Sequence, residues 1–259
     1  MDHLSLLPVA REAVAIGRRI VTSRAPRSVT EKSERDLVTD IDLAVEEAVR
    51  EFLARETPGI GVVGEENGGE PGALWWALDP VDGTANFARG IPLTGISLAL
   101  VSGERSVVAA IDLPFLDTVY TAVEDFGCYA GDVRIQVSRA GALAEAMVSV
   151  GDFAVGADAG PKNRLRLSLL EKLGARAQRV RMIGTAATDL AWVAHGRLDA
   201  TMILSNLPWD TMAGVLLVRE AGGLVLDADG SDHTVSSAST IAVSPGLRDV
   251  VLELLGASR

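Results

Sequence analysis

The sequence predicts a mixed α/β or α+β protein, on three observations. Residues 4–21 and 40–55 carry apolar side chains at helical spacing. Short apolar runs separated by glycine-bearing turns fill the middle of the chain, at the length and rhythm of strands. One such run, residues 74–78, breaks off into Asp79-Pro80-Val81-Asp82-Gly83-Thr84. That is an acidic loop at the carboxyl end of a strand, where open α/β sheets place their ligands.

In chain order, the first helix is marked by Leu6, Leu7, Ala10, Val14, Ile20 and Val21, with Glu12, Arg18 and Arg19 on other faces. Residues 23–35 are polar and read as a mobile loop, and Lys32 within it reads as a solvated lysine. The second helix buries Ile41, Val45, Ala48, Val49 and Phe52. Thr39 is its N-cap, and Thr39-Asp40-Ile41-Asp42 has the form of a capping box. A short strand at 60–63 leads to Gly64-Glu65-Glu66. Glu65, straight after a strand end, is placed to ligate a metal held by the acidic loop, and Glu66 is a neighbour with no direct role.

In that loop Pro80 holds Asp79 extended and Gly83 permits a tight turn, so Asp79 and Asp82 should face one side. Two carboxylates so close repel unless a cation lies between them. Oxygen ligands without a nearby Cys or His point to magnesium rather than zinc. Standing alone, these residues read first as a surface turn. Strands follow at 93–101, 106–113 and 117–123, residues 128–137 continue the strand-rich stretch round a short Gly131-Asp132 turn, and the character of the chain changes near Ser138. Beyond it lie a strand at 147–151, a helix at 161–173 and a strand at 179–183. Gly184-Thr185-Ala186-Ala187 then opens a helix running to His195 and closed by Gly196. Its small residues suit either close approach of a substrate or plain packing. A strand at 198–204 precedes Trp209-Asp210, where Asp210 reads as an N-cap or a ligand. Asp227-Ala-Asp-Gly230 is a hairpin turn, and residues 250–255 form a closing helix.

A net charge of −11 and a pI near 4.8 argue against nucleic acid or an anionic membrane as partner. The same charge makes a phosphate substrate awkward unless metal ions supply local positive charge. The one cysteine, Cys128, excludes an internal disulfide, fits a reducing cytoplasm and reads as buried filler. No apolar run reaches transmembrane length, and no signal peptide pattern opens the chain. The three histidines are scattered, which makes a histidine-driven mechanism improbable.

Asp79-Pro-Val-Asp-Gly-Thr84 with Asn86-Phe87 resembles the signature of the inositol monophosphatase family of magnesium-dependent, lithium-sensitive sugar phosphatases. Asp36-Leu-Val-Thr39 with Asp42, Gly64-Glu65-Glu66, and Trp209-Asp210 before Glu220-Ala-Gly-Gly223 match in the family's order. The resemblance spans nearly the whole chain. It implies a five-layered α-β-α-β-α sandwich, its first sheet larger and mostly antiparallel, its second smaller and mixed. One compact unit is expected, with residues 1–137 carrying most metal ligands and residues 138–259 carrying Asp210 and substrate contacts.

The activity implied is hydrolysis of a small sugar or polyol phosphate monoester by metal-activated water, with two or three magnesium ions. Glu65, Asp79 and the Val81 carbonyl are expected on one ion, and Asp79, Asp82 and Asp210 on a second. Thr84 and Glu65 would orient the water, with Asp42 orienting Thr84. Gly83 and Thr84 would hold phosphate through backbone N–H groups, and Ala186 would meet substrate hydroxyls beside Asp82 and Asp210. In the family a lysine from the loop of Lys32 can approach the active site. A cytoplasmic homodimer is expected. Inositol monophosphate stands first as substrate, although Ile203 occupies the place of an inositol-binding glutamate, with Ser205 and Asn206 as nearby polar groups. Histidinol phosphate, fructose 1,6-bisphosphate and a phosphoadenosine nucleotide are the alternatives. A non-catalytic regulatory binding protein on the same fold is the alternative from another class.

Overall fold

The computed structural model describes residues 3–256 and 258. A short 3-10 turn leads into helix α1 (Leu7–Ser23), then strands β1 (Val29–Ser33) and β2 (Asp36–Thr39) and helix α2 (Asp40–Glu56). Strand β3 (Gly61–Gly64), strand β4 (Leu74–Asp82) and the single-turn helix α3 (Thr84–Ala88) follow. A meander of β5 (Gly95–Ser102), β6 (Arg105–Leu113), β7 (Thr118–Val123), β8 (Gly127–Ala130) and β9 (Val133–Ile135) comes next. The remainder is β10 (Met147–Val150), α4 (Ala159–Arg176), β11 (Arg179–Arg181), α5 (Ala186–Ala194), β12 (Ala200–Ile203), α6 (Pro208–Glu220), β13 (Leu224–Leu226), β14 (Thr240–Val243) and α7 (Arg248–Gly256).

β3 to β9 form a seven-stranded sheet in sequence order, antiparallel except for the β3–β4 pair. The second sheet has five strands in the order β11-β10-β12-β14-β13, with β10 parallel to both its neighbours and the other pairs antiparallel. Three buried apolar clusters separate the layers. Val14 and Val45 of α1 and α2 pack on Trp76 and Leu98 of the first sheet. Leu190 and Val215 of α5 and α6 lie between Trp75 and Ala99 of the first sheet and Val225 and Ala242 of the second. Leu169 and Val251 of α4 and α7 cover Val148 and Met202 on the far side. The order is therefore α-β-α-β-α, as expected.

β4 is covered on both faces, with Trp75 and Ala77 turned to one cluster and Trp76 and Leu78 to the other. This explains an unbroken apolar run where a half-exposed strand would alternate. α6 is buried from Thr211 to Val218, as a central-layer helix must be. α5 and α6 approach so closely that a Cβ on Gly214 would lie 2.4 Å from Leu190 Cβ. No helix among the described residues is long and apolar enough to cross a membrane.

Two expectations are corrected. Residues 23–35 are not simply a loop: β1 and β2 form an antiparallel hairpin, Val29 opposite Thr39. Every residue of β1 is exposed, so no alternation of polarity betrays the strand. The central strand also does not end at Leu78 but continues to Asp82. Its ladder with β5 slips between the pairs Asp79–Ser97 and Asp82–Gly95, three steps against two. Pro80 sits in this bulge, where its missing N–H costs the ladder nothing.

Candidate active site

The bulge sets the centre of the site. Asp79 Oδ1 accepts the Val81 N–H at 3.0 Å, locking its carboxylate against its own backbone. Gly83, at φ +86°, turns the chain from β4 into α3. Thr84 begins α3, and its Oγ1 lies 3.0 Å from both Asp42 Oδ1 and the Val81 carbonyl oxygen. Asp42 serves two ends at once. Its Oδ2 closes the capping box with Thr39, and its Oδ1 meets Thr84. Asn86 fixes the turn from the other side, donating to the Leu93 and Ile183 carbonyls at 2.9 Å.

Glu65 follows β3, and its N–H continues the ladder by donating to the Leu78 carbonyl at 3.2 Å. The fully buried Glu46 of α2 supports this loop, accepting the N–H groups of Glu66 and Asn67 at 2.9 Å and the Arg50 guanidinium at 2.8 Å. Lys32 is not simply solvated: from β1 its ammonium reaches Glu65 Oε1 at 2.7 Å and Glu66 Oε1 at 2.9 Å. Arg35, at the tip of the same hairpin, donates to the Ala154 carbonyl at 3.1 Å. The hairpin thus touches both the Glu65 loop and the loop after β10.

Asp210 lies in the first turn of α6 and accepts the Leu207 N–H at 3.0 Å, so it is not the N-cap residue itself. Thr185 caps α5, and its hydroxyl donates to Asp82 Oδ2, which also accepts the Ala187 N–H. Glu65, Asp79, Val81 and Asp82 line one cleft of about 220 Å³ together with Gly83, Thr84, Ala186 and Asp210. Asp42 stands behind Thr84. Ile203 and Ser205 also line the cleft, whereas Asn206 turns away to Thr240 and Ser237. The sequence reading missed Asp152 and Asp189, both on the cleft wall. Asp189 Oδ1 is buried without a hydrogen-bond partner.

The charge in this cleft is costly. Burial raises the Asp79 carboxyl well above the usual range, and Glu65, Asp82 and Asp210 push it further. Burial brings Asp82 up to about 6, against the opposing hydrogen bonds from Thr185 and Ala187. Burial brings Asp210 to about 7, opposed by the Leu207 N–H and reinforced by Asp82 and Glu65. Glu66 is likewise raised to about 7 by burial, with Lys32 drawing it down. Burial works against the Lys32 ammonium, but its contacts with Glu65 and Glu66 outweigh that and raise its pKa.

Among the described residues no three acidic, His or Cys side chains close round a common point as a ready metal cage. Their oxygens are turned to protein donors: Lys32 on Glu65, Val81 on Asp79, Thr185 on Asp82 and Leu207 on Asp210. The donor set nevertheless fits a hard divalent cation. It offers only oxygen, and its like charges raise one another's proton affinity, which a cation relieves.

Alternating layers with an acidic, oxygen-lined cleft at strand ends define a layered α/β protein with a candidate hard-cation site. The particular family follows from comparison: the chain belongs to the inositol monophosphatase family, whose profile matches residues 2–258. It is 37% identical to "Inositol-1-monophosphatase ImpA" of Mycolicibacterium smegmatis, covering 88% of this chain and 83% of that one. It is 32% identical to "Fructose-1,6-bisphosphatase/inositol-1-monophosphatase" of Aquifex aeolicus, over 98% and 97% of the two chains. The solved structure of the Thermotoga maritima IMPase superposes with a TM-score of 0.88 at 28% identity, covering 100% of this chain and 98% of that one. The chain is thus a phosphomonoester hydrolase of a generally metal-dependent family.

Proposed function

We propose that the chain hydrolyses a small sugar or polyol phosphate monoester, inositol monophosphate first, with two or three magnesium ions. The observation that carries this reading is that Glu65, Asp79, Asp82 and Asp210, from three separate segments, line one cleft with the Gly83–Thr84 turn. Glu65, Asp79 and the Val81 carbonyl would hold one ion, and Asp79, Asp82 and Asp210 a second. When bound, magnesium supplies an acidified water and positive charge for the phosphate oxygens and the departing alkoxide.

The chain's own residues do the positioning. Asp42 accepts the Thr84 hydroxyl proton, which leaves a Thr84 lone pair to accept from the attacking water. Glu65 accepts the second proton of that water. The Gly83 and Thr84 N–H groups face the phosphate at the start of α3. Ala186 leaves room beside Asp82 for substrate hydroxyls. In this reading residues 1–137 supply most metal ligands, residues 138–259 supply Asp210 and the substrate contacts, and the two act as one unit. Lithium inhibition, a homodimer and a cytoplasmic location belong to the same reading. The name of the Aquifex aeolicus relative supports fructose 1,6-bisphosphate as the second substrate to try. A regulatory protein without catalysis is disfavoured by the complete carboxylate set.

The test is calorimetry with magnesium on chelator-stripped protein, followed by phosphate release from a panel of esters. Magnesium binding, and release from inositol 1-phosphate only in its presence, is the expected result. A protein that binds no magnesium and releases no phosphate from any ester overturns the proposal.

A further inference from the structure

The acidic side chains that line the cleft are not held alike. Asp79 is tied to the Val81 N–H, Asp82 to Thr185 and the Ala187 N–H, and Asp210 to the Leu207 N–H. The Glu65 carboxylate meets only the Lys32 ammonium among the described residues. Where Glu65 points therefore depends on its backbone. On one side that backbone is fixed by its own N–H on the Leu78 carbonyl. On the other it is fixed by the next two N–H groups, those of Glu66 and Asn67, and both end on Glu46.

Glu46 holds the loop from inside the fold. It is fully buried on α2. Its Oε2 accepts the Glu66 N–H, and its Oε1 accepts the Asn67 N–H and Arg50 Nε. Arg50 supplies the opposite charge that a buried carboxylate requires. Its other nitrogens donate to the Val62 carbonyl at 3.0 Å and to the Gly68 carbonyl. The loop closes round this pair through the mutual backbone bonds of Gly64 and Gly68, at 3.0 and 3.1 Å. Gly64 makes room for it, since a Cβ there would lie 2.5 Å from Glu46 Oε1. Asp42, equally buried, stands one helical turn earlier on the same face of α2. It meets Thr84, while Glu46 meets the loop of Glu65. Thr84 and Glu65 are the two side chains that orient the attacking water in the proposed mechanism.

We propose that Glu46 is a positioning residue for the reaction: with Arg50 it sets Glu65, and through the helix face it shares with Asp42 it sets Glu65 relative to Thr84. The role rests on the phosphatase reading given above. It differs from plain support of the fold in what it controls. Loss of Glu46 should loosen the ion held by Glu65 and leave the ion held by Asp82 and Asp210 as it was.

The experiment titrates magnesium alone into chelator-stripped protein by calorimetry and follows amide exchange in the same metal-free samples. Glu46→Gln keeps the volume but offers one acceptor oxygen in place of two. Exchange at Glu66 and Asn67 should quicken by about tenfold or more, with residues 74–79 unchanged. The ion that Glu65→Ala weakens should also weaken in Glu46→Gln, by about ten- to a hundredfold, the usual effect of removing a group that orients a ligand. In the Glu65→Ala background Glu46→Gln should weaken magnesium no further, because its effect runs through Glu65. At saturating magnesium kcat on inositol 1-phosphate should fall by about ten- to a hundredfold with KM unchanged, since the water and not the ester is misplaced. Gly64→Ala presses on the same carboxylate from the loop side and should reproduce these effects, so it decides if Glu46→Gln does not fold. Unchanged exchange at Glu66 and Asn67, or equal weakening with and without the Glu65 carboxylate, overturns the role and leaves the phosphatase reading in place. A wild type that binds no magnesium and releases no phosphate removes that reading, and the role with it.

Discussion

Two segments bring charge to the same cleft by opposite means. β4 and α3 deliver Asp79, Asp82 and Thr84 from a strand buried on both faces, with each side chain tied to its own backbone or to α5. The β1–β2 hairpin delivers Lys32 from a strand exposed at every residue, held to the Glu65 loop through the tip of one flexible side chain. The first arrangement is rigid: the surrounding fold meets the cost of concentrating negative charge in one cleft, and only the carboxylate oxygens, now turned to protein donors, have to turn when a cation arrives. The second is adjustable, because releasing Lys32 disturbs no core. The interior segment should therefore carry the chemistry and the hairpin should modulate it.

The largest effect expected on this contrast is at Asp82. Asp82→Asn keeps the volume and an oxygen to accept the Ala187 N–H, but removes the charge. Phosphate release with excess magnesium should fall by more than about a thousandfold, as when a metal-ligating or charge-stabilising group is lost. The melting temperature should move by no more than about 3 °C, roughly 1 kcal/mol for a chain of this size. Full activity in this variant would break the contrast at its strongest point.

A smaller effect tests whether buried charge in the cleft costs stability. Asp189 is 2% exposed, and burial pushes its carboxyl up to about 8, with Asp82 and Asp152 adding and the facing Ser149 subtracting. Its pKa when folded lies above the unfolded value of about 4. The folded state therefore binds the proton more tightly. The stability this contributes is complete below the unfolded value and is lost as pH rises through about 8. Metal-free protein should melt progressively lower as pH rises from about 5 to about 9, and Asp189→Asn should flatten that fall. Calorimetric melting of both proteins across the range gives the answer. Parallel curves would show that the fold has accommodated the charge by another route.

The same contrast explains what the sequence made legible. The acidic turn was readable because Asp79, Pro80, Asp82 and Gly83 are adjacent and each restricts the backbone in its own way. Asp42 was readable as a capping residue because a capping box is a local pattern, whereas its contact with Thr84 was expected only from family likeness. The strands and helices were readable from their apolar runs, whereas the order of the layers came from family likeness alone. The hairpin was hidden because a strand exposed on both faces leaves no alternation of polarity. Nothing in the sequence sets Glu46 apart from the other acids of α2, and only its partners 20 and 21 residues on disclose its place. Asp189 lies inside a helix of small residues, where nothing local marks a buried carboxylate.

Lys32→Met is the smallest change and the most direct test of adjustability. The pair sites are partly exposed, Lys32 at 26% and Glu65 at 21% of their side-chain surface. Solvent screening limits such pairs to about 0–1 kcal/mol, so melting should fall by no more than about 3 °C. Without the ammonium, Glu66, already raised to about 7 by burial, loses the group that drew it down and should rise further. The hairpin keeps its ladder and the Arg35 contact with Ala154 but loses its hold on the Glu65 loop. Amide hydrogen exchange across residues 29–39 should quicken by about three- to tenfold, the local opening equilibrium shifting by about 1 kcal/mol. Residues 74–79 should keep the exchange of the parent, since their hydrogen bonds lie in the sheet core. Equal quickening in both segments would mean that hairpin and interior strand open together, and that the two segments form a single mechanical unit.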